Sequence, residues 1–203
     1  RFLLNPFNND YSIFFDLKTP NIQFETNLDV IDKKIKKISV NKFISPNQDF
    51  YGMIKNEDYL DILIQGSKLK FNKLKSLQNN GNPIFTNMDL TIDIDELYLN
   101  NIPFKQPEFS FSKRNGLYNR FYSKLSNTEN IHKVSITSDN KESFFNLSSN
   151  NFSELLRIFN FDLNTEAGEI EINGAKDLNE SKYVGNIDVR DFILTDGPFL
   201  ADF

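Results

Sequence analysis

A strict alternation of apolar and polar residues is the feature of this chain that most constrains its fold. Its clearest instance sets one apolar series against one polar series: Met88, Leu90, Ile92 and Ile94 against Asp89, Thr91, Asp93 and Asp95. Successive side chains of a β-strand point to opposite faces, whereas an amphipathic helix repeats every 3.6 residues. The period of two therefore predicts a strand with one apolar face and one polar face.

The same period recurs along the whole chain. Strands are predicted at residues 11–18, 22–30, 35–40, 50–55, 60–65, 109–112, 134–137, 169–173 and 183–190. Asn, Gly, Pro and Asp separate these segments, Asn115-Gly116 indicates a hairpin, and residues 79–83 (NNGNP) indicate a loop. Short strands at this spacing are typical of a meandering antiparallel sheet.

Helix is predicted to be scarce, because alanine occurs three times in 203 residues and phenylalanine 21 times. One segment has helical spacing, beginning after a cap at Ser149, Asn150 or Asn151 and ending before Thr165. Its apolar positions are Phe152, Leu155, Leu156 and Phe159. A second short helix over 67–77 competes with a strand and is narrowly favoured. The fold class is mainly β with one or two short helices.

Composition and charge bound the function. The net charge of -5 and the pI near 5.0 lack the basic footprint of a nucleic-acid binder. The chain has no cysteine, and no apolar run of about 18 residues that would cross a membrane as a helix. Residues 1–203 are expected to form a single domain. Because the chain starts at Arg1 and stops at Phe203 within an apolar pattern, we expect both ends to be cut from a longer protein.

No catalytic, metal or cofactor motif is recognised in the sequence. His132 is the sole histidine and is interpreted as a strand-end residue satisfied by backbone or water. Asp89, Asp93 and Asp95 share one strand face, but Leu97 and Tyr98 stand where a calcium loop needs an oxygen ligand and a glycine. They are interpreted as a solvated surface. Gly174 and Gly185 are predicted to mark a bulge or a close backbone approach. The chain is therefore predicted not to be an enzyme and to need no cofactor.

Three C-terminal segments carry a family resemblance: residues 151–161 (NFSELLRIFNF), 167–174 (AGEIEING) and 183–201 (YVGNIDVRDFILTDGPFLA). Together they resemble the AsmA-like C-terminal region of YhdP-type proteins, in the AsmA/TamB superfamily. Residues 66–71 (GSKLKF) and 88–99 (MDLTIDIDELYL) are similar to the earlier repeating strands of that family. Asn160, Ala167 and Gly197 depart from the residues most usual there, Gly, Gly and Ala.

The resemblance implies a strongly curved sheet that forms a hydrophobic groove for phospholipid acyl chains, as in bridge-like lipid-transfer proteins. The parent would be a Gram-negative periplasmic protein, anchored in the inner membrane by a helix outside this sequence and moving phospholipid towards the outer membrane. Its other partners would be neighbouring repeats of the same chain. The expected groove residues are Met88, Leu90, Ile92, Ile94, Ile170, Ile172, Ile187 and Val189. The helix of Phe152, Leu155, Leu156 and Phe159 would cap the groove or pack on its edge.

Two alternatives stay open at this point. The same apolar face could be the core of a structural or adhesive β-sandwich module of a cell-surface protein. It could also belong to a carbohydrate-active enzyme on a β scaffold, since two facing carboxylates can be distant in sequence. The 28 acidic residues give no way to choose such a pair.

Overall fold

The protein is one open β-sheet with a single short helix, seen in a computed structural model that describes residues 2–7, 10–71, 86–161, 165–180 and 182–194. For residues 2–7 and 194 only the backbone is described. The elements in chain order are β1 (Phe2–Phe7), β2 (Asp10–Lys18), β3 (Gln23–Ile31), β4 (Lys34–Ser45), β5 (Gln48–Asn56), β6 (Leu60–Phe71), β7 (Met88–Leu99), β8 (Ile102–Lys105), β9 (Glu108–Arg114), β10 (Leu117–Ser126), β11 (Ile131–Ser138), β12 (Glu142–Ser149), α1 (Phe152–Ile158), β13 (Thr165–Asp177) and β14 (Tyr183–Leu194).

All fourteen strands belong to this one sheet, and thirteen of them lie side by side in chain order. Strand β8 pairs with the C-terminal half of β7, beside the stretch of β7 that pairs with β9. Neighbouring strands are antiparallel except β6 and β7, which are parallel. The predicted antiparallel meander is therefore confirmed, with one parallel pair that the alternation could not indicate, since parallel and antiparallel strands have the same period.

Each segment with predicted alternation lies in a strand, and four strands were missed: β1, β8, β10 and β12. Strand β10 has a bulge between Tyr118 and Arg120, and β12 places Phe144 and Phe145 side by side. Both features interrupt an apolar–polar alternation. The predicted helix over 67–77 is wrong, because β6 continues to Phe71; residues 72–77 and the predicted loop at 79–83 lie outside the described residues.

Tight turns connect several neighbouring strands. The predicted hairpin at Asn115-Gly116 is confirmed, with both residues at positive φ, as a two-residue type I′ turn requires. Asp32-Lys33 and Asn100-Asn101 have the same signs of φ between β3 and β4 and between β7 and β8. Asparagine tolerates this left-handed conformation better than most residues, so the Asn-rich composition is compatible with a many-stranded meander.

The sheet bends along a line where the alternation changes phase. In β6 the inward side chains run through Ile64 and Gly66 and resume at Leu69 after a bulge against β5. Gly66 has a φ of 154°, and a Cβ atom there would lie 2.6 Å from the Cα of Phe50. Glycine is thus required where the two strands approach. Bulges increase local twist and bend a sheet, which gives the chain its curvature.

Helix α1 is short because both of its ends are fixed. Asn151 is the N-cap, and its side chain accepts a hydrogen bond from the Glu154 N–H at 2.9 Å. At the other end Asn160 has a φ of 61°, and Phe161 N–H donates to Leu156 O at 2.9 Å, which is a Schellman motif. The cap predicted at 149–151 is confirmed at its last position.

The apolar face predicted for α1 is only partly correct. Leu155 and Leu156 are buried as expected, and so is Ile158, which the helical spacing had not included. Phe159 is the C-cap rather than a helical residue, and 47% of it is exposed. The helix ends one residue before Phe159, so its side chain is not carried onto the sheet.

The main buried cluster lies where α1 meets the bent part of the sheet. Its members are Leu69, Ile94, Leu97, Leu99, Ile102, Phe104 and Ile158. Phe104 has no exposed surface. Since α1 has seven residues and the sheet fourteen strands, α1 covers a small part of the apolar face.

Candidate functional site

One face of the sheet carries a nearly continuous apolar row that crosses it from β14 to β2. Residues paired directly across neighbouring strands point to the same face, so the pairing register assigns each residue to a side. The row contains, in spatial order, Ile187, Ile172, Leu147, Val134, Ser123, Phe109, Ile92, Ile64, Gly52, Val40, Thr26 and Phe15. It contains no charged side chain. We call the side of the sheet that bears this row the inner face.

The eight predicted groove residues all point to the inner face. Leu90 pairs with Phe111 and Ile92 with Phe109, while Ile172 pairs with Ile187. The remaining predicted positions extend the same series: Met88, Ile94, Ile170 and Val189. Their surroundings differ, because Ile94 and Ile170 are buried near α1 whereas Ile187 is 71% exposed.

Among the described residues, the inner face away from α1 forms an open trough. Most inward side chains of β2–β5 and β10–β14 are only half-buried. A cavity of about 570 Å³ lies over β10–β14, and the apolar residues that line it include Val134, Ile136, Phe145, Leu147 and Ile172. Contiguous exposed apolar surface of this kind is uncommon on monomeric soluble proteins and marks interaction sites.

Small residues let the strands approach closely in this trough. Gly174 and Gly185 face each other across β13 and β14, and Gly174 lies beneath the ring of Phe145. A Cβ atom on Gly174 would lie 2.3 Å from the Cζ of Phe145. The predicted close backbone approach at both glycines is confirmed, and it gives the aromatic ring its place in the trough wall.

The opposite face is mostly polar, and two of its aspartates, Asp89 and Asp93, have side-chain partners. Arg114 donates to both carboxylate oxygens of Asp89, at 2.8 and 2.7 Å, and this contact lowers the pKa of Asp89. Gln65 donates to Asp93 at 3.1 Å. Within the described residues, no group of three or more histidine or acidic side chains is placed to hold a metal ion. The structure thus places Asp89 and Asp93 in ordinary surface contacts.

His132 lies at the start of β11, as predicted, but it is buried and has two side-chain partners, which corrects the expectation that backbone or water satisfies it. It is 2% exposed, and its ring lies edge-on to Phe104. Its Nδ1 is 2.7 Å from Ser149 Oγ, and its Nε2 is 2.8 Å from Glu154 Oε1. Glu154 belongs to α1, so this network joins the helix to β11 and β12. The polar partners came from Ser149 and Glu154, 17 and 22 residues away, where no spacing rule connects them to His132.

The Ser149–His132–Glu154 constellation differs from a hydrolytic triad. In such a triad the serine contacts Nε2 and the carboxylate contacts Nδ1, whereas here the two nitrogens have the opposite partners. Ser149 is itself buried, and its hydroxyl donates to Asn151 O at 2.9 Å and accepts from Asn151 N–H at 3.0 Å. With Ser149 and His132 both buried, the constellation positions α1 on the sheet.

No helix in the described part of the chain is long and apolar enough to cross a membrane. Comparison with protein-family models, with curated proteins and with solved structures finds no match for this chain. The inner face is therefore interpreted from its own residues and geometry.

Proposed function

We propose that the uncovered part of the inner face binds lipid acyl chains, and that this chain is a segment of a periplasmic conduit for phospholipid. The single observation that carries the proposal is the apolar row from β14 to β2, of which α1 covers only the part near β7 and β13. An apolar surface of that length gains free energy when an apolar ligand displaces water from it.

The energetics favour a chain-like ligand. A ~16-carbon acyl chain loses about 12 kcal/mol when it leaves an apolar environment for water, at about 0.8 kcal/mol per methylene. An apolar face that continues along each strand and from strand to strand keeps such a chain in apolar contact along its length. Inward side chains occur at every second position of each strand, so contact with an acyl chain requires no specific sequence motif.

The two edge strands of the sheet could pair with further strands of a longer parent protein. In the described part of the chain, β1 and β14 are each paired on one side only. An open edge readily accepts another strand, which is what neighbouring repeats of an extended groove would provide. Under this proposal the groove continues into the rest of the parent, which would be held at the inner membrane by a helix outside this sequence.

The sandwich alternative needs a second sheet over the inner face, and the described strands all belong to one sheet. A carbohydrate-active enzyme needs two facing carboxylates in a cleft, and none of the residues that line the trough over β10–β14 carries a carboxylate. These two observations favour a binding surface over a sandwich core and over an enzyme cleft.

The test is whether the purified protein carries phospholipid. Native mass spectrometry and lipid extraction should detect bound lipid in the wild type. Ile172→Asp places a charge in the trough and should lower acyl-chain binding on the order of tenfold, since a charge buried under an acyl chain is costly. Asn173→Asp adds the same side chain on the adjacent, outward position and should leave binding unchanged.

Ile187→Asp is the second inner-face variant, and because Ile187 is exposed the substitution should leave the protein folded. Circular dichroism checks that each variant is folded. A wild-type protein that is free of lipid and takes up no fluorescent acyl chain would overturn the proposal. Equal binding by the inward and outward variants would overturn it as well.

A further inference from the structure

The positive charge on the trough is concentrated at the end away from α1. Six inner-face residues form a row there, which we call the basic row: Lys113, Tyr118, Ser138, Ser143, Lys176 and Tyr183. Lys113 pairs with Tyr118 across β9 and β10, and Ser138 pairs with Ser143 across β11 and β12. On β13, Lys176 pairs with Ser143 on one side and with Tyr183 on the other. All of them except Lys113 line the 570 Å³ cavity.

Each lysine of the basic row is held by an aromatic ring. Lys113 Nζ lies 5.8 Å from the centroid of Tyr118, and Lys176 Nζ lies 5.2 Å from the centroid of Tyr183. Between them Ser138 Oγ donates to Ser143 Oγ at 2.8 Å. Two ammonium groups, two serine hydroxyls and two tyrosine side chains therefore lie at one end of an apolar trough, and ring contacts restrict where the ammonium groups lie.

The inner face offers these lysines no acidic partner along their own strands. The paired inward residues that follow the basic row towards α1 are Phe109, Phe111, Phe121, Ser123, Leu125, Val134, Ile136, Phe145, Leu147, Ile170, Ile172, Ile187 and Val189, together with Gly174, Gly185, His132 and Ser149. No carboxylate belongs to this set.

Acidic residues do occur in the turns beside the basic row. Asp139 accepts backbone N–H groups of Lys141 and Glu142, and Asp177 accepts those of Asn179 and Glu180. These bonds lower the pKa of both aspartates and fix their carboxylates within their own turns. They stabilise the turns and leave the lysines of the row to interact across the trough.

We propose that the basic row binds the anionic headgroup of a lipid whose acyl chain lies in the trough and points towards α1. The inference rests on the proposed function and adds to it the charge class and the orientation of the ligand. Charge complementarity selects the occupant, because Lys113 and Lys176 are the charged residues among the paired side chains from the row to α1. The chain would continue from the row past Ile136 and then Val134.

The test compares two lipids that share their acyl chains and differ in headgroup charge, phosphatidylglycerol and phosphatidylcholine. Wild-type protein should bind phosphatidylglycerol more tightly, on the order of threefold to tenfold at low salt, as expected for a partly exposed charge contact with one of the two lysines. The preference should shrink as the ionic strength rises, because screening weakens exposed charge pairs. Binding is followed by native mass spectrometry and by displacement of a fluorescent acyl probe.

The double variant Lys113→Gln with Lys176→Gln should lose the preference and still bind both lipids. The matched control, Lys105→Gln with Lys133→Gln, removes the same charge from exposed lysines on the opposite face and should keep the preference. Equal wild-type affinity for the two lipids would overturn the headgroup inference while leaving the acyl-chain proposal standing. Failure of both lipids to bind would overturn the proposed function itself.

A third arm uses inorganic phosphate alone. If phosphate displaces the acyl probe as effectively as phosphatidylglycerol does, the row is a site for free anions and the inference of an oriented lipid is wrong. If phosphate weakens only the preference for the charged headgroup, the result supports the inference.

Discussion

The part of the sheet beneath α1 and the part formed by β10–β14 have the same alternating sequence pattern but differ in burial. Beneath α1, Ile94, Phe104 and Ile158 are fully enclosed, and a polar network through His132 fixes the helix in place. Over β10–β14, residues of the same type such as Ile172 remain half-buried and line a trough. The difference shows that an apolar strand face becomes core only where another element is available to cover it.

The covered region should therefore carry most of the stability, and Phe104→Ala gives the largest expected effect. Removing a phenylalanine from a closed core costs about 3–5 kcal/mol, since it loses apolar burial and leaves a cavity. Ile187→Ala, at a 71% exposed inner-face position, should change the free energy of unfolding by less than about 0.5 kcal/mol. Urea denaturation measures both, and similar losses in the two variants would contradict the comparison.

The attachment of α1 can be tested through its buried polar network. Glu154→Ala removes the partner of His132 Nε2 and of Asn127 Nδ2, which donates to the same oxygen at 2.8 Å. Unpaired buried polar groups cost about 1–3 kcal/mol, so the variant should lose stability in that range. Hydrogen exchange should show faster exchange at the α1 amides while β2–β5 are unchanged.

Glu129→Ala is the control for that variant, because Glu129 is an exposed residue of the β10–β11 turn. It should leave both stability and α1 exchange near the wild-type values. If the α1 amides remain protected in Glu154→Ala, apolar packing alone holds the helix, and the polar network through His132 is not needed to attach it.

The polar outer face should contribute least, and Asp89→Asn measures its share. The pKa of Asp89 is lowered in the folded protein, chiefly by hydrogen bonds from Arg114, so the carboxylate stabilises the fold above its unfolded pKa. The contribution should be below about 1 kcal/mol at about pH 6, because the pair is partly exposed. It should disappear as the pH falls through the folded pKa, which the contact with Arg114 holds below the usual pKa of an aspartate.

Urea denaturation of wild type and variant across that pH range tests the sign. A difference that grows as the pH falls would contradict the assignment. A difference of several kcal/mol at neutral pH would show that the outer face rivals the covered core, and the comparison between the two regions would no longer describe where the stability lies.

Local patterns were sufficient where one strand or one turn decided the outcome. The alternation from Met88 to Asp95 predicted a two-faced strand, and Asn115-Gly116 predicted its hairpin, because both depend on residues adjacent in sequence. The same reasoning failed at β10 and β12, where a bulge and paired phenylalanines break the alternation. It also failed at residues 67–71, where a helix was predicted and pairing with β7 makes a strand.

The candidate site divides in the same way. The inward direction of Ile172 and Ile187 could be predicted, since it follows from strand period alone. The exposure of Ile187 and the burial of Ile94 could not, because they depend on where α1 packs. The basic row could not be predicted either, because Lys113 and Lys176 are 63 positions apart in the chain and share an edge of the trough only through cross-strand register.

By itself, the sequence determined a mainly β chain with a charged face and an apolar face, because side-chain direction is a local property of the extended backbone. Tertiary packing was needed to show that these strands form one open sheet, that a seven-residue helix closes a small core, and that the described residues leave the rest of the apolar face uncovered. Which surfaces meet depends on long-range packing, and an alternating pattern is the same whether its apolar side is covered by protein or left accessible.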